Sequence, residues 1–338
     1  MKFDFKIIRQ YKRLRTGELT VNGKRVTTPV VIPSSKICEI LTTDEIIKTK
    51  TVGIYCDPIQ LTEKLDGISF DHLMNISRLL GQKVIVFTTS GAEKIAQLAN
   101  LRGYKDTGVN FRFPNQKQLI HYSPELAIKV QEQLGSEIGE QLYRADNYYA
   151  PVDDLNAGVK QTNKWIGLVE EDSFLKPIIG GGLKYLHRQS FESAGRAAGY
   201  VIPQLKEIDS SDEFQRNLQE IISMLPDSAL RVAKIGGSLK QLIDSFSSGA
   251  DVVYSDVAWT MAQSGMAITV NGHLMKWEEE MDCKCPACRE TLSKDVRSFL
   301  IKNKTPLSTR LLLEHNLWQI NNFVDTLRDQ VGKQKGEL

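Results

Sequence analysis

Cys283-Lys-Cys285-Pro-Ala-Cys288, answered further on by His315 in Leu311-Leu-Leu-Glu-His315-Asn-Leu317, is the stretch from which the rest of the chain is read. Three thiolates and one imidazole complete a tetrahedral Zn²⁺ shell and leave no position open. The tight spacing lets one short turn wrap a metal from three directions. The distant His315 then ties a following helix to that turn. Binding free energy on the order of 10 kcal/mol is enough to hold such a small unit together. Redox-active thiols and a chance spacing are the competing readings. A closed ligand set makes this zinc a structural brace, with no water to activate.

Outward from that knuckle, the chain of 338 residues has room for one large domain with an appendage. Its 41% hydrophobic and 25% charged residues describe a water-soluble globular protein. A formal net charge of +2 confines any nucleic-acid contact to a local patch. Of five cysteines, Cys38 and Cys56 lie outside the cluster in apolar surroundings and read as buried thiols. That usage suits a reducing compartment. The N-terminus has no secretory apolar run, and no stretch approaches the ~20 residues of a membrane span. A cytoplasmic protein is expected.

Upstream, Gly17 to Pro33 reads as a β-hairpin turning at Asn22-Gly23. Short apolar runs follow as buried strands: Val52–Tyr55, Val84–Phe87, Ile166–Val169, Gly199–Ile202, Arg231–Ile235 and Asp251–Tyr254. Helices between them are signalled by caps. Ser123-Pro124-Glu125 opens one with Leu126, Val130 and Leu134 on a face. Ser210–Glu213 and Ser238–Gln241 read as capping boxes, and Gly249 stops the second helix. Met275–Asp282 is acidic and loop-like. Trp318, Ile320 and Phe323 suggest a last helix packing back on the body.

Alternation of strand and helix over roughly 250 residues predicts a (β/α)₈ TIM barrel, with a doubly wound sheet as the alternative. No GxGxxG follows a first strand, which weighs against the latter. The expected division is residues 1–270 for the barrel with its hairpin and 271–338 for the zinc subdomain and last helix. Chemistry in such barrels sits at the C-terminal ends of strands. Candidate places are Phe87–Ala92, Gly135–Asp146, Gly180–Leu183 and Gly249–Asp256, each with a plain turn or strand-cap reading beside it. His72, His121, His187 and His273 lack partners at ligand spacing and read as surface or packing residues.

These segments together resemble the tRNA-guanine transglycosylase family, over nearly the whole chain. The zinc segment and Leu312-Leu-Glu-His315-Asn-Leu317 carry the likeness, with Thr28-Pro29-Val-Val-Ile-Pro33, Thr107–Arg112, Ser123–Glu125, Gln131–Ile138, Gly181–Leu183 and Gly249–Asp251. The resemblance implies a (β/α)₈ barrel with a zinc subdomain, and exchange of an anticodon-loop guanine for a 7-deazaguanine.

Against the family's pattern, Thr89 replaces a catalytic aspartate in Thr88-Thr89-Ser90-Gly91-Ala92. A gapless match puts Tyr254 in the nucleophile's place and Tyr143 in that of the base-reading aspartate. Phosphate-binding arginines become Ala258-Trp259-Thr260 and Gln263-Ser264-Gly265. Displacing a base at C1′ calls for an ionised oxygen, and a phenol is mostly un-ionised at neutral pH. The expectation is therefore a catalytically silent accessory subunit, with no catalytic residues of its own. It would form a heterodimer with a catalytic transglycosylase, or a homodimer, on tRNA. The resemblance also allows a peripheral place at the mitochondrial outer membrane. Arg297, Lys302, Lys304 and Arg310 are candidates for the tRNA backbone, with a solvated helix face as the competing reading. Two other readings stand beside this one. In the first, the chain is an active tRNA or DNA transglycosylase with Asp256 as nucleophile and Asp146 replacing the acid lost at Tyr143. In the second, it is a stand-alone tRNA-binding scaffold.

Overall fold

The computed structural model describes residues 3–65, 69–114, 116–169, 173–277, 279, 283–289 and 293–333. It is an α/β fold organised by parallel strands. Val30–Ile32, Val252–Tyr254, Leu230–Lys234, Gly199–Ile202 and Lys176–Pro177 pair side by side in parallel. Gly53–Cys56 pairs in parallel with Ile85–Thr88. Single bridges continue the run: Ser34 with Tyr55, Phe87 with Ile138, and Glu140 with Leu175.

Two-residue periodicity sorts the side chains into two cores. Val30, Ile32, Ile85, Phe87, Ile138, Leu175, Val201, Leu230, Val232, Val252 and Tyr254 face one another inside. The intervening Val31, Ile54, Val86, Ala233 and Val253 pack outward against the helices. At ~25 cal/mol per Å² of buried apolar surface, these two layers supply most of the drive to fold.

The N-terminal hairpin is as expected, with Leu14–Val21 against Lys24–Thr28 and Asn22 and Gly23 both at positive φ. A further strand, Phe3–Tyr11, pairs with the first arm. Phe5, Leu19, Val21 and Val26 cover the floor of the inner core. Arg15 fastens the hairpin there. Its guanidinium donates to both Asp251 oxygens (2.7 and 2.5 Å) and to the carbonyls of Asp227 and Ala229. Asp251 is thus a strand-end anchor at the floor, away from the candidate site.

Ser123, Ser210 and Ser238 cap the helices that begin at Pro124, Ser211 and Leu239, and Gly249 ends the third in the left-handed region. The strand expected at Ile166–Val169 is instead the end of the helix Val152–Gly167. Leu155, Val159, Thr162 and Ile166 are buried at helical spacing, and Trp165 packs beside them. Part of the loop expected at Met275–Asp282 is strand: Leu274–Lys276 pairs with Met266–Ile268. Residues 278 and 280–282 lie outside the described residues. The long helix Pro306–Lys333 buries Leu312, Leu313, Leu317, Ile320 and Val324 against the body. Among the described residues no helix is long and apolar enough to cross a membrane.

Candidate functional site

The inward register that builds the inner core carries on to the C-terminal end of each strand or just beyond it. Ile32 leads to Ser34, Tyr55 to Asp57, Phe87 to Thr89, Ile138 to Glu140, Val232 to Lys234 and Tyr254 to Asp256. Apolar inward positions thus become polar ones at the C-terminal ends of the strands. A cavity of about 380 Å³ opens there, lined among others by Lys36, Tyr55, Asp57, Thr89, Glu93, Lys206, Lys234, Tyr254 and Asp256.

Asp256 stands at the mouth, its side chain 22% exposed. One oxygen accepts the Ser34 amide and the Tyr55 hydroxyl, each at 3.3 Å. The other takes the Lys36 ammonium at 3.0 Å. Three donors from two neighbouring segments therefore hold its direction. Tyr254 is different. Its ring stacks on Tyr55 (5.0 Å between centroids, 13°) and meets Phe87 edge-on. Burial raises the phenol well above its ordinary value, and its oxygen has no partner. Tyr254 is a filler of the inner core, and burial together with Glu140 outweighs the pull of Lys234 toward the ionised form.

Asp57 follows the strand Gly53–Cys56. One oxygen caps the next helix through the amides of Ile59 and Gln60. The other accepts the Thr89 hydroxyl at 2.8 Å. The carboxylate absent at position 89 thus has a neighbour on the adjacent strand, one that a gapless reading of Thr88-Thr89-Ser90 misses. Its signal in the sequence is its place two residues beyond Tyr55, on the same face of the strand. Burial raises its carboxyl above the ordinary value, opposed by the Gln60 amide and the Thr89 hydroxyl.

At the back lies a charged cluster. Lys234 reaches Glu93 at 3.0 Å, Glu140 at 3.1 Å and the Tyr143 hydroxyl at 3.3 Å. Glu93 also pairs with Lys206 and accepts the Tyr143 hydroxyl. Burial pushes Glu93 upward, but the two lysines outweigh it and hold the carboxyl at about 2. Glu140 is fully buried, and that burial raises it despite Lys234. Tyr143 therefore stands beside an ionised carboxylate, that of Glu93. Asp146 turns away from this cavity. It pairs with Arg144 at 2.9 Å and lines a neighbouring cavity of about 280 Å³. Burial brings it up to about 6. The amides of Gly180 and Gly181 are occupied by the Gln204 side chain, so this glycine run offers no free cradle.

Cys283, Cys285, Cys288 and His315 come together, their ligand atoms within 4.8 Å of one another. His315 Nδ1 lies 3.5, 3.4 and 3.4 Å from the three sulfurs. Zn–S and Zn–N bonds of about 2.3 and 2.0 Å at tetrahedral angles give a sulfur–nitrogen edge of about 3.5 Å, so the quartet could hold a metal ion and its spacing is consistent with zinc. Its surroundings fit as well. His315 Nε2 meets the Ile268 carbonyl at 2.9 Å, and Gln319 donates to the Cys283 sulfur. The four RNA candidates lie elsewhere on the surface and none lines the cavity. Arg310 pairs with Glu45 and Arg297 donates to the Glu279 carbonyl, while Lys302 and Lys304 are exposed.

The sequence model of one family, described as "TGT: Queuine tRNA-ribosyltransferase", matches residues 11–337. A protein of Rickettsia typhi named queuine tRNA-ribosyltransferase is 24% identical over 348 residues, covering 97% of this chain and 96% of that one. The proteins of that name from Streptococcus agalactiae and Halothermothrix orenii are each 24% identical, covering 97% and 94% of this chain and 92% and 90% of theirs. These matches correct the expectation of a catalytically silent accessory subunit in a heterodimer. The relatives that align end to end are named as the transferase itself, and nothing in them points to an accessory subunit or a separate catalytic partner. The physical reason is that losing the acids at Tyr254 and Thr89 does not empty the site of carboxylates: the alternative nucleophile Asp256 lines the cavity, and Asp57 replaces the acid missing at Thr89.

Proposed function

This chain belongs to the queuine tRNA-ribosyltransferase family, and from that premise we propose that it exchanges a guanine of tRNA for a 7-deazaguanine, with Asp256 as nucleophile. The observation that carries the reading is Asp256 itself: a partly exposed carboxylate, aimed by Ser34, Tyr55 and Lys36 into an open cavity at the strand ends. A carboxylate is ionised at neutral pH and attacks C1′ without losing a proton first. The C1′–N9 bond breaks as the C1′–oxygen bond forms, leaving the ribose on Asp256. An incoming base then displaces Asp256 from the same carbon. Lys36 holds the carboxylate while the covalent link is made and released.

The circuit of parallel pairings supports a closed (β/α)₈ barrel, in which these groups would lie at the C-terminal mouth, where such barrels carry their chemistry. Zn²⁺ at Cys283, Cys285, Cys288 and His315 would brace the C-terminal unit and take no part in the exchange. Lys302 and Lys304 are our candidates for phosphate contacts from that unit.

Incorporation of radiolabelled guanine into tRNA by the purified protein tests the reading. Asp256→Asn should lower the rate by about 10³-fold or more. Tyr254→Phe, which removes a buried hydroxyl without a partner, should stay within a few-fold of wild type. Turnover surviving in Asp256→Asn but lost in Tyr254→Phe would overturn the assignment.

A further inference from the structure

Base exchange moves a proton as well as a sugar. Guanine leaves through N9 and must gain a proton there, and the incoming base must lose one from the same atom. Asp256 is occupied by the ribose throughout, so a second group has to carry that proton. We propose that Asp57 is this acid–base residue, with Thr89 as the positioning residue that orients it. The inference rests on the transglycosylase reading above.

The geometry supports Asp57 in three ways. It lines the same cavity as Asp256. It lies two residues beyond Tyr55, whose hydroxyl touches Asp256, so one strand face serves both carboxylates. Its two oxygens also have separate tasks. Oδ1 is fixed by the amides of Ile59 and Gln60, while Oδ2 has only the Thr89 hydroxyl. A carboxyl oxygen has room for one more partner, and Asp57 lines the cavity in which that partner would sit. The other carboxylates around the cavity are less suited. Glu93 is clamped by Lys206 and Lys234, and Asp256 is the nucleophile. The charged and titratable groups facing Asp57 are Lys234, Glu93 and Tyr122, with Lys36 and Asp256 across the cavity. Burial keeps Asp57 above the ordinary carboxyl range, in the direction an acid needs.

In the first half-reaction, Asp256 forms its bond to C1′ and the C1′–N9 pair goes to guanine. N9 takes the proton of the Asp57 carboxyl, so guanine departs neutral and Asp57 is left as carboxylate. In the second, Asp57 accepts the N9 proton of the incoming base, N9 bonds to C1′, and Asp256 is released. Both residues return to their starting states, and no further reactant is required.

Asp57→Asn is the discriminating variant, because the amide oxygen still caps the helix at Ile59 and Gln60. Single-turnover release of labelled guanine from tRNA, measured from pH 5 to 9, should fall on the alkaline side for wild type. In Asp57→Asn it should be about 10²–10⁴-fold slower and flat with pH. Asp57→Asn/Thr89→Asp carries the carboxylate across the 2.8 Å contact and should recover at least tenfold, with a pH limb restored. Thr89→Val, which removes a hydrogen bond to the ionised form, should move the wild-type limb to higher pH, and it carries the test if Asp57→Asn does not fold. Asp57→Asn within threefold of wild type at every pH, beside an inactive Asp256→Asn, would sink the Asp57 assignment and leave the nucleophile standing. A wild-type protein that exchanges no guanine would remove both.

Discussion

Replacing Lys234 by Met tests whether the charged cluster behind the cavity is held together as its geometry implies. Met matches the length of the lysine stem and removes only the ammonium. That ammonium lies between Glu93 and Glu140, with 9% of the lysine side chain exposed and none of Glu140. Glu93 measures the effect. Its carboxyl is held at about 2 against an ordinary 4.5, although burial alone would raise it. At about 1.4 kcal/mol per pH unit, that difference is worth about 3 kcal/mol of native stability at neutral pH. Lys234 and Lys206 supply the attraction, Lys234 the larger part. Without it, Glu140 keeps only the Ser90 amide and must take up a proton to stay buried. The expected cost in urea unfolding at pH 7 is about 3 kcal/mol, near the lower end for breaking a buried ion pair. The sign with pH follows. Glu93 is depressed in the folded state, so its contribution is complete above pH 4.5 and is lost as pH falls through about 2. A protonated Glu140 also costs less in acid. The gap between wild type and Lys234→Met should therefore narrow steadily between pH 7 and pH 3. A gap below about 1 kcal/mol at pH 7, or one that stays constant down to pH 3, would refute the account.

The remaining expectations concern the frame. Arg15→Met should cost about 3–5 kcal/mol, because it takes the bidentate guanidinium from the fully buried Asp251 carboxylate and leaves it the Arg231 amide as its direct hydrogen-bond donor. Adding Asp251→Leu should recover part of that loss, and chemical unfolding of the single and double variants checks both. Metal analysis of protein purified without chelator should find one zinc per chain, lost in Cys285→Ser together with several degrees of melting temperature. Full zinc content in that variant would reject the quartet as the ligand set.

What the sequence discloses about this protein depends on how far apart the cooperating residues lie along the chain. The Cys₃His quartet is legible because three of its residues share one turn, and the fourth lies on a helix whose apolar stripe is itself readable. The hairpin and the capped helices are local too, each set by a few neighbouring residues. Lys176–Pro177 and the bridging segment at Ile138 and Glu140 escape detection because two or three residues carry no periodicity. Ile166–Val169 is mistaken for a strand because an apolar run at the end of an amphipathic helix looks like one. The candidate site is only partly legible, with Asp256 offered as an alternative and Asp57 missed, for the opposite reason. Its groups are far apart in sequence and meet only when the strands align. Residue-by-residue comparison along one line asks whether position 89 or position 254 bears an acid, and answers no. The folded chain asks which carboxylates reach the cavity. There the inward register supplies Asp57 beside Thr89 and Asp256 two residues beyond Tyr254. The alternation that offers Asp256 beyond Asp251–Tyr254 gives Asp57 as well when it is extended by two residues beyond Val52–Tyr55, since both are legible as strands. The chemistry of such a site is then a property of the strand ends taken together, and a carboxylate moved from one strand to its neighbour still reaches the same cavity.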